Sequence, residues 1–516
     1  SVTQTYRNDS QANIEAVYTF PLPLDAVLLA FEVTIGERVL RGTVVGKKDA
    51  EERYENAIGD GDAAVMLEQA EPGLYTMNVG NVMPGERVKV CLRYGVVLRW
   101  SGDAVRFFMP TTVAPRYGAS PLAPHQVPES AITVENRFGL KVRIEGLLRN
   151  ARVECPSHAV VYRDTDDAAL VELDAERAVM DRDFVLMLSA QGVERSYAIA
   201  DRDPAGHVVL VSFQPMIGGL AKPEPRSVKI VVDCSGSMAG DSIAQAKRAL
   251  SSIVELLRPA DQFNIIAFGS DSSALFKKQA ACTPANLERA RRFCSELDAT
   301  LGGTEIGGAL ERAYASGSKG EMPEDVLLIT DGEVGQWQQV VERAVASKHR
   351  VFTVGVGSSV AEAFVRTLAE RTGGVCELVS PNEDMAGRIT RHFQRMSATR
   401  STNARITWPG GAVERWPKDL RHVYEGDTVI AWARYAKKPK GEVAFELEAS
   451  DRAVRQTAQI RFEPDREQAT STLARLAAAM RLPELDAKRG VKEAIAYELV
   501  SRWTNYLVVL ERAESE

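Results

Sequence analysis

Residues 228–238 read Val-Lys-Ile-Val-Val-Asp-Cys-Ser-Gly-Ser-Met. The run 228–232 is short and apolar, as expected of a strand buried on both faces, and it stops on a carboxylate. A helix is predicted to follow, because Ile243, Ala246, Leu250, Ile253 and Leu257 recur at helical spacing. Outward from there the pattern repeats. Runs 263–268, 326–329, 351–354 and 375–379 are strand-like, while 287–297 and 306–314 are helical. Apolar strands alternating with helices predict a doubly wound α/β domain over 226–400, its parallel sheet covered on both faces.

The flanks have another texture. Val88, Val90, Leu92 and Tyr94 alternate with Lys89, Cys91 and Arg93, and Leu140, Val142 and Ile144 alternate with Lys141, Arg143 and Glu145. Period two places one face in a core and the other in water. Turn signals at Asn8-Asp9-Ser10, Gly59-Asp60-Gly61-Asp62, Pro72-Gly73 and Pro84-Gly85 punctuate these runs. Residues 1–222 therefore read as β-sandwich modules, divided at 1–110 and 111–222. Lys222-Pro223-Glu224-Pro225 reads as a stiff linker. After the α/β domain, 401–465 is again strand-like. Segment 466–516 reads as two helices parted by Pro483 and a closing strand at 506–510. Leu473, Leu476, Ala477 and Met480 are expected to share one helix face, and Val491, Ala494, Ile495 and Leu499 another, both most simply core. With strand texture on both sides, 111–222 and 401–465 are expected to form one β module into which the α/β domain is inserted. The start at Ser1 reads like the middle of a strand and carries no signal peptide, as if the chain were trimmed.

The chain has 516 residues, a prior of roughly three to four domains. Its net charge of −7 argues against general affinity for nucleic acid or an anionic membrane. No run approaches the ~18 apolar residues of a membrane span. Cys91, Cys155, Cys234, Cys282, Cys294 and Cys376 are scattered and form no CxxC, which excludes a disulfide framework and zinc-ribbon chemistry. That usage favours a reducing, cytoplasmic compartment; a removed leader would instead make the chain an exported one. The six histidines (His125, His158, His207, His349, His392 and His422) form no HExxH or close pair, and neither a G-x-S-x-G elbow nor a phosphate-cradling G-x-x-x-x-G-K-[ST] loop occurs. Gly355-Val-Gly-Ser358 reads as a strand-to-helix turn, and Gly59–Asp62 as a surface turn rather than a Ca²⁺ loop.

One constellation carries chemistry. Asp233, Ser235 and Ser237 stand at i, i+2 and i+4 at a strand end, with Gly236 expected to allow a tight turn between the serines. A carboxylate and two hydroxyls are hard oxygen donors that suit Mg²⁺. Thr304, after paired glycines, and Asp331, at another strand end, offer further oxygens. Ligands of open α/β sheets bind at such carboxyl ends. Each of these residue types is also a common helix cap or turn former, so the weight lies in their order and not in any one of them.

This set resembles the metal-ion-dependent adhesion site of von Willebrand factor A (vWA) domains, a Rossmann-like fold. The resemblance implies that Asp233, Ser235, Ser237, Thr304 and Asp331 hold Mg²⁺, with Ca²⁺ and Mn²⁺ as other occupants, and that a partner protein's Asp or Glu fills the open position. Residues 1–110 resemble a VIT domain, the module named from the vault protein and the inter-alpha-trypsin inhibitor heavy chains. The likeness rests on Val2–Asn8, Ile14-Glu-Ala-Val-Tyr-Thr-Phe-Pro-Leu-Pro23, Tyr54-Glu-Asn-Ala57 and Gly80-Asn-Val-Met-Pro-Gly-Glu86. Ser157-His158 and Asp183-Phe184-Val-Leu186 resemble the β region between the two domains, and Glu498–Tyr506 the helix-to-strand close after the vWA domain. The Asp-Pro-His-Phe signal for glycan attachment is absent, and no poly(ADP-ribose) polymerase sequence is read here. The expectation is a non-enzymatic, Mg²⁺-dependent protein-binding or scaffold protein. Its alternative is a homo-oligomer assembled through the VIT and β modules, with the metal site at subunit contacts. A phosphoryl-transfer enzyme is disfavoured because the motif offers no second nearby Asp as acid–base.

Overall fold

A computed structural model describes residues 1–113, 122, 126–127, 136–174, 178–215, 225–317, 322–332, 337–357, 360–380, 383–396, 403–418, 420, 423–424, 426–449, 452–462 and 471–512. Residues 222–224 of the expected linker, His125, Ser358 and His422 lie outside them.

The first module is a pair of sheets closed over one core. One sheet runs Val2–Arg7, Arg87–Gly95, Val27–Ile35, Arg38–Arg41; the other runs Ile14–Pro21, Leu74–Val82, Ala63–Glu71, Thr504–Leu510, Thr43–Gly46. The alternation of 88–93 is realised: Val88, Val90 and Leu92 are buried, whereas Lys89 and Arg93 are exposed. The chain's last strand is thus an internal strand of its first module, antiparallel to both neighbours. The all-strand reading of this segment needs correction at Lys47–Gly59, which is a helix. Ala50, Tyr54 and Ala57 are its buried stripe at helical spacing. Abundant turn signals nearby masked that stripe in the sequence.

Ala104–Met109 pairs with Trp100–Ser101 on one side and with Phe184–Ser189 on the other, and not with the first module, whose own strands end at Gly95. They belong to a second sandwich, its other sheet being Lys141–Ile144, Ala169–Leu173 and Val160–Asp164, packed around Val105, Ile144, Val171, Phe184 and Leu188. The expected single module of 111–222 with 401–465 is therefore divided. Only Tyr197–Asp203 and Gly206–Phe213 join Ala404–Thr407, Ala412–Trp416, Val429–Tyr435, Glu442–Ala449 and Arg452–Phe462, in one seven-stranded sheet. The physical reason is pairing: strands 104–189 satisfy their backbone groups and apolar faces among themselves. The α/β domain lies in the chain between two strands of that sheet, Gly206–Phe213 and Ala404–Thr407.

In the α/β domain, Gln262–Phe268, Ser227–Asp233, Glu324–Thr330, Arg350–Val356 and Cys376–Val379 are parallel neighbours in that order. Helices Asp241–Leu256, Pro284–Glu296 and Met385–Met396 cover one face; Ile306–Ala315, Trp337–Ser347 and Glu362–Thr372 cover the other. All six cysteines are free.

Helices Thr472–Arg481 and Ala487–Ala496 lie on the seven-stranded sheet, against Val208, Leu210, Ile430 and Trp432. Their faces differ from expectation. Ala474, Arg475, Leu476, Ala477 and Ala478 are buried in the first helix, while Met480 and Ile495 are exposed. Leu499 lies beyond the second helix. In the first helix the face is turned so that Arg475, only 2% exposed, points inward. Its guanidinium donates to the carbonyl oxygens of Leu28 (2.9 Å) and Leu29 in the first module, to that of Glu498, and to Tyr506 Oη (3.1 Å) in the closing strand.

Two predictions follow from these contacts. Deleting residues 504–516 removes an internal strand with buried Tyr506, Leu507 and Val508, each contributing roughly 1.5–3 kcal/mol. Limited proteolysis is expected to degrade the first module of that variant while sparing the α/β domain. On helix Met385–Met396, His392 is buried, its Nε2–H donating to Val375 O and its Nδ1 without a partner. Burial first, then Arg395 and Arg388, outweigh the attraction of Glu377 and lower its pKa from 6.5 to about 4. A depressed folded-state pKa means stability is complete above pH 6.5 and falls as pH drops toward 4, by on the order of 3 kcal/mol. Denaturant titrations from pH 7 to 4 should show this loss, reduced in His392→Gln.

Candidate metal centre

Strands Ser227–Asp233 and Glu324–Thr330 run parallel, with Val232 paired to Ile329, so their carboxyl ends emerge side by side. That register brings Asp233 and Asp331 into one site. Asp233 is fully buried, and both of its oxygens are held: Oδ1 accepts from the Ser235 N–H (2.9 Å) and Oδ2 from Thr330 Oγ1 (2.6 Å). Ser237 Oγ donates to Asp331 Oδ1 (2.9 Å) and lies 3.1 Å from Ser235 Oγ. Ser235 is buried, Ser237 exposed and Asp331 half-buried, so the group opens to solvent on the Ser237 side.

The third loop comes from beside strand Gln262–Phe268. Leu301 N donates to Cys234 O, and Gly236 N to Gly302 O, which ties the glycine pair to the serine turn. Ser270 Oγ accepts from Gly303 N (2.8 Å). Thr304 then packs on Gly332: a Cβ at 332 would lie 2.7 Å from Thr304 Cγ2 and 3.3 Å from its Oγ1. The structure thus gathers Asp233, Ser235, Ser237 and Asp331 by direct contacts and places Thr304 against the residue after Asp331.

Two points were not read from sequence. Thr330 belongs to no motif, yet it clamps Asp233 and accepts from Gly332 N (3.1 Å). Its signal was its place, directly before Asp331 at a strand end. The expectation for Gly236 is corrected: its φ is not positive, and a Cβ there would meet nothing within 4 Å. The serine turn is a short 3₁₀ turn, Gly236–Met238, which any residue can adopt. The glycine that the backbone requires is Gly240, at φ 83° before the helix. Cys234 turns into the core, and burial followed by the charge of Asp233 pushes its thiol up to about 12.

The electrostatics fit a cation. Burial raises the pKa of Asp233; burial and then the charge of Asp233 push Asp331 up to about 6, against the hydrogen bond from Ser237. Among the described residues, no Arg, Lys or His forms an ion pair with either acid. A buried acid beside a half-buried one, without a basic partner and ringed by hydroxyls, forms an all-oxygen donor set for a hard dication. No group of three or more His, Cys, Asp or Glu side chains able to hold a metal occurs among the described residues, so a soft or zinc-type centre has no support there.

Residues 1–94 match the family model of the vault protein inter-alpha-trypsin domain, and residues 226–378 that of the von Willebrand factor type A domain. A von Willebrand factor A domain-containing protein of Dictyostelium discoideum is 24% identical across 99% of this chain and 55% of its own length. Human von Willebrand factor A domain-containing protein 5A is 24% identical across 99% of this chain and 71% of its own. A mouse protein mono-ADP-ribosyltransferase is 28% identical across 73% of this chain but only 20% of its own. The chain spans about half the length of the Dictyostelium relatives it matches. A solved von Willebrand factor type A structure from Catenulispora acidiphila aligns with 57% of this chain and 81% of its own at 15% identity and TM-score 0.35.

Loss of the acid pair should separate metal binding from folding. Asp233→Asn removes a buried charge that Asp331 repels, so without divalent cation the variant is expected to melt no lower than wild type. Wild type should gain stability with Mg²⁺, about 2.7 kcal/mol at a hundredfold excess over Kd, and Asp233→Asn none. Thermal melts with Mg²⁺ or EDTA measure both.

Proposed function

We infer that this chain, which carries a VIT domain over residues 1–94 and a vWA domain over 226–378, is a non-enzymatic binding protein that captures a protein carboxylate at Asp233, Ser235, Ser237, Thr304 and Asp331 in a Mg²⁺-dependent way. One observation supports this above the rest. The donor set is held rigidly from below, yet opens to solvent at Ser237, Gly302 and Gly303. Ser237 is exposed at that opening and Asp331 half-buried beside it, while Asp233 and Ser235 lie buried beneath them and Thr304 packs on Gly332. Mg²⁺ bound there would supply a coordination position for an Asp or Glu from outside. With two protein carboxylates the charge of the ion is not exceeded, so a third is still attracted.

The protein does its part by preorganisation. Thr330 and the Ser235 N–H fix the Asp233 carboxylate before any ligand arrives, which lowers the entropy lost on binding. Gly332 leaves room for Thr304; Gly332→Ala would push it aside. The ADP-ribosyltransferase activity in the mouse relative's name is not carried over, because the match spans 20% of that enzyme. No helix among the described residues is long and apolar enough to cross a membrane.

A pull-down from native lysate tests the proposal, with wild type, Asp233→Asn and Gly332→Ala, in Mg²⁺ or EDTA. A partner kept by wild type only in Mg²⁺, lost with Asp233→Asn and weakened about tenfold or more with Gly332→Ala, is the expected result. Equal retention by Asp233→Asn in EDTA would overturn it. If the retained protein is a second copy of this chain, mass measurement with and without chelator identifies the homo-oligomer instead.

A further inference from the structure

Three modules meet around a cleft of about 590 Å³ that none of the candidate metal-site residues lines. This lies within the roughly 300–1,000 Å³ of small-molecule sites, which favour domain junctions. Leu24 and Val27 of the first module, Ile430 and Trp432 of the seven-stranded sheet, and Leu476 and Met480 of the C-terminal helix make its walls. The walls are mostly apolar, and their polar groups are largely engaged with one another. Trp432 Nε1–H donates to Met480 Sδ (3.0 Å), Gln69 Nε2 to Tyr75 Oη (3.3 Å), and Ser501 Oγ is 2.8 Å from Thr504 Oγ1.

The charged groups on the lining are not symmetric. Asp25 is held by Arg366 at 2.5 Å, and Glu71 has a partner of its own. Arg99 and Arg502 make no ion pair or hydrogen bond with any described residue. Arg502 stacks on the Trp503 ring, 4.1 Å from its centroid, and Arg99 only exerts a longer-range pull on Glu370. Both guanidiniums are exposed, at the margin of an apolar cleft whose acids are spoken for. An apolar body suits the walls, and an anionic head suits the guanidiniums at the margin, since guanidinium pairs with carboxylate or phosphate bidentately.

We propose that this cleft binds an amphiphilic anion: an apolar chain seated against Trp432, Leu476 and Met480, with its carboxylate or phosphate head at Arg99 and Arg502. The ligand would touch three modules at once, so its occupancy stabilises their junction.

The test uses the full chain and three probes of equal chain length below their micelle concentrations: dodecanoate, dodecanol and dodecylammonium. Tryptophan fluorescence and thermal melts are read together. Dodecanoate is expected to bind saturably and raise Tm, with dodecanol weaker and dodecylammonium weakest. Arg99→Ala/Arg502→Ala, both exposed positions, should weaken dodecanoate at least about tenfold and leave dodecanol unchanged. Ala479→Trp, which fills the cleft from the helix, should weaken all three. Asp233→Asn should bind dodecanoate as wild type does. No saturable dodecanoate binding by wild type, no preference for it over dodecylammonium, or unchanged affinity in the double arginine variant would each overturn the proposal.

Discussion

The buried guanidinium of Arg475 is the contact on which the rest of the assembly turns. A desolvated cation is costly unless acceptors meet it; the terminal nitrogens of Arg475 make all of its hydrogen bonds, and its Nε has none. Here the acceptors come from segments far apart in the chain: the carbonyls of Leu28 and Leu29, that of Glu498, and the hydroxyl of Tyr506. None of them is adequate alone. The helix that carries Arg475 is thereby tied to the first module and the closing strand as well as to the seven-stranded sheet. The cation therefore sets the register between modules as well as contributing energy. A second buried arginine extends the same logic: Arg434 bridges Asp203, Glu414 and Glu493, fastening the other C-terminal helix to the same sheet.

The candidate metal centre is built the opposite way, from neighbours. Parallel pairing puts two strand ends side by side, and short backbone bonds tie three loops together at their tips. Each donor then needs only one or two contacts for its orientation. This local geometry leaves the Ser237 side open to solvent, while Asp233 behind it is buried.

What was legible in the sequence follows this division. The strand and helix alternation of 226–400 and the order of Asp233, Ser235, Ser237, Thr304 and Asp331 are local patterns, and period and spacing report them directly. The divided β modules were not legible, because the choice of partner strand depends on pairings over hundreds of residues that alternation does not encode. Arg475 was invisible for a related reason: in a helix rich in alanine it looks like a solvated charge, and only its distant acceptors make it a core residue. Thr330 shows the limit on the smallest scale. Its neighbour Asp331 carries the recognisable chemistry, while Thr330 itself supplies the hydrogen bond that holds Asp233.

The place of Thr504–Leu510 between Ala63–Glu71 and Thr43–Gly46 has a consequence for biosynthesis. A ribosome releases the two outer strands more than four hundred residues before the one that joins them. At about 5–20 residues per second, roughly half a minute to a minute and a half passes with both inner edges unpaired. Those edges expose Val44, Val65 and Leu67 to the cytosol or to the translocation machinery alike, and unpaired apolar edges recruit other strands. Thr504–Leu510 is thus needed to complete a module whose other strands are made more than four hundred residues earlier.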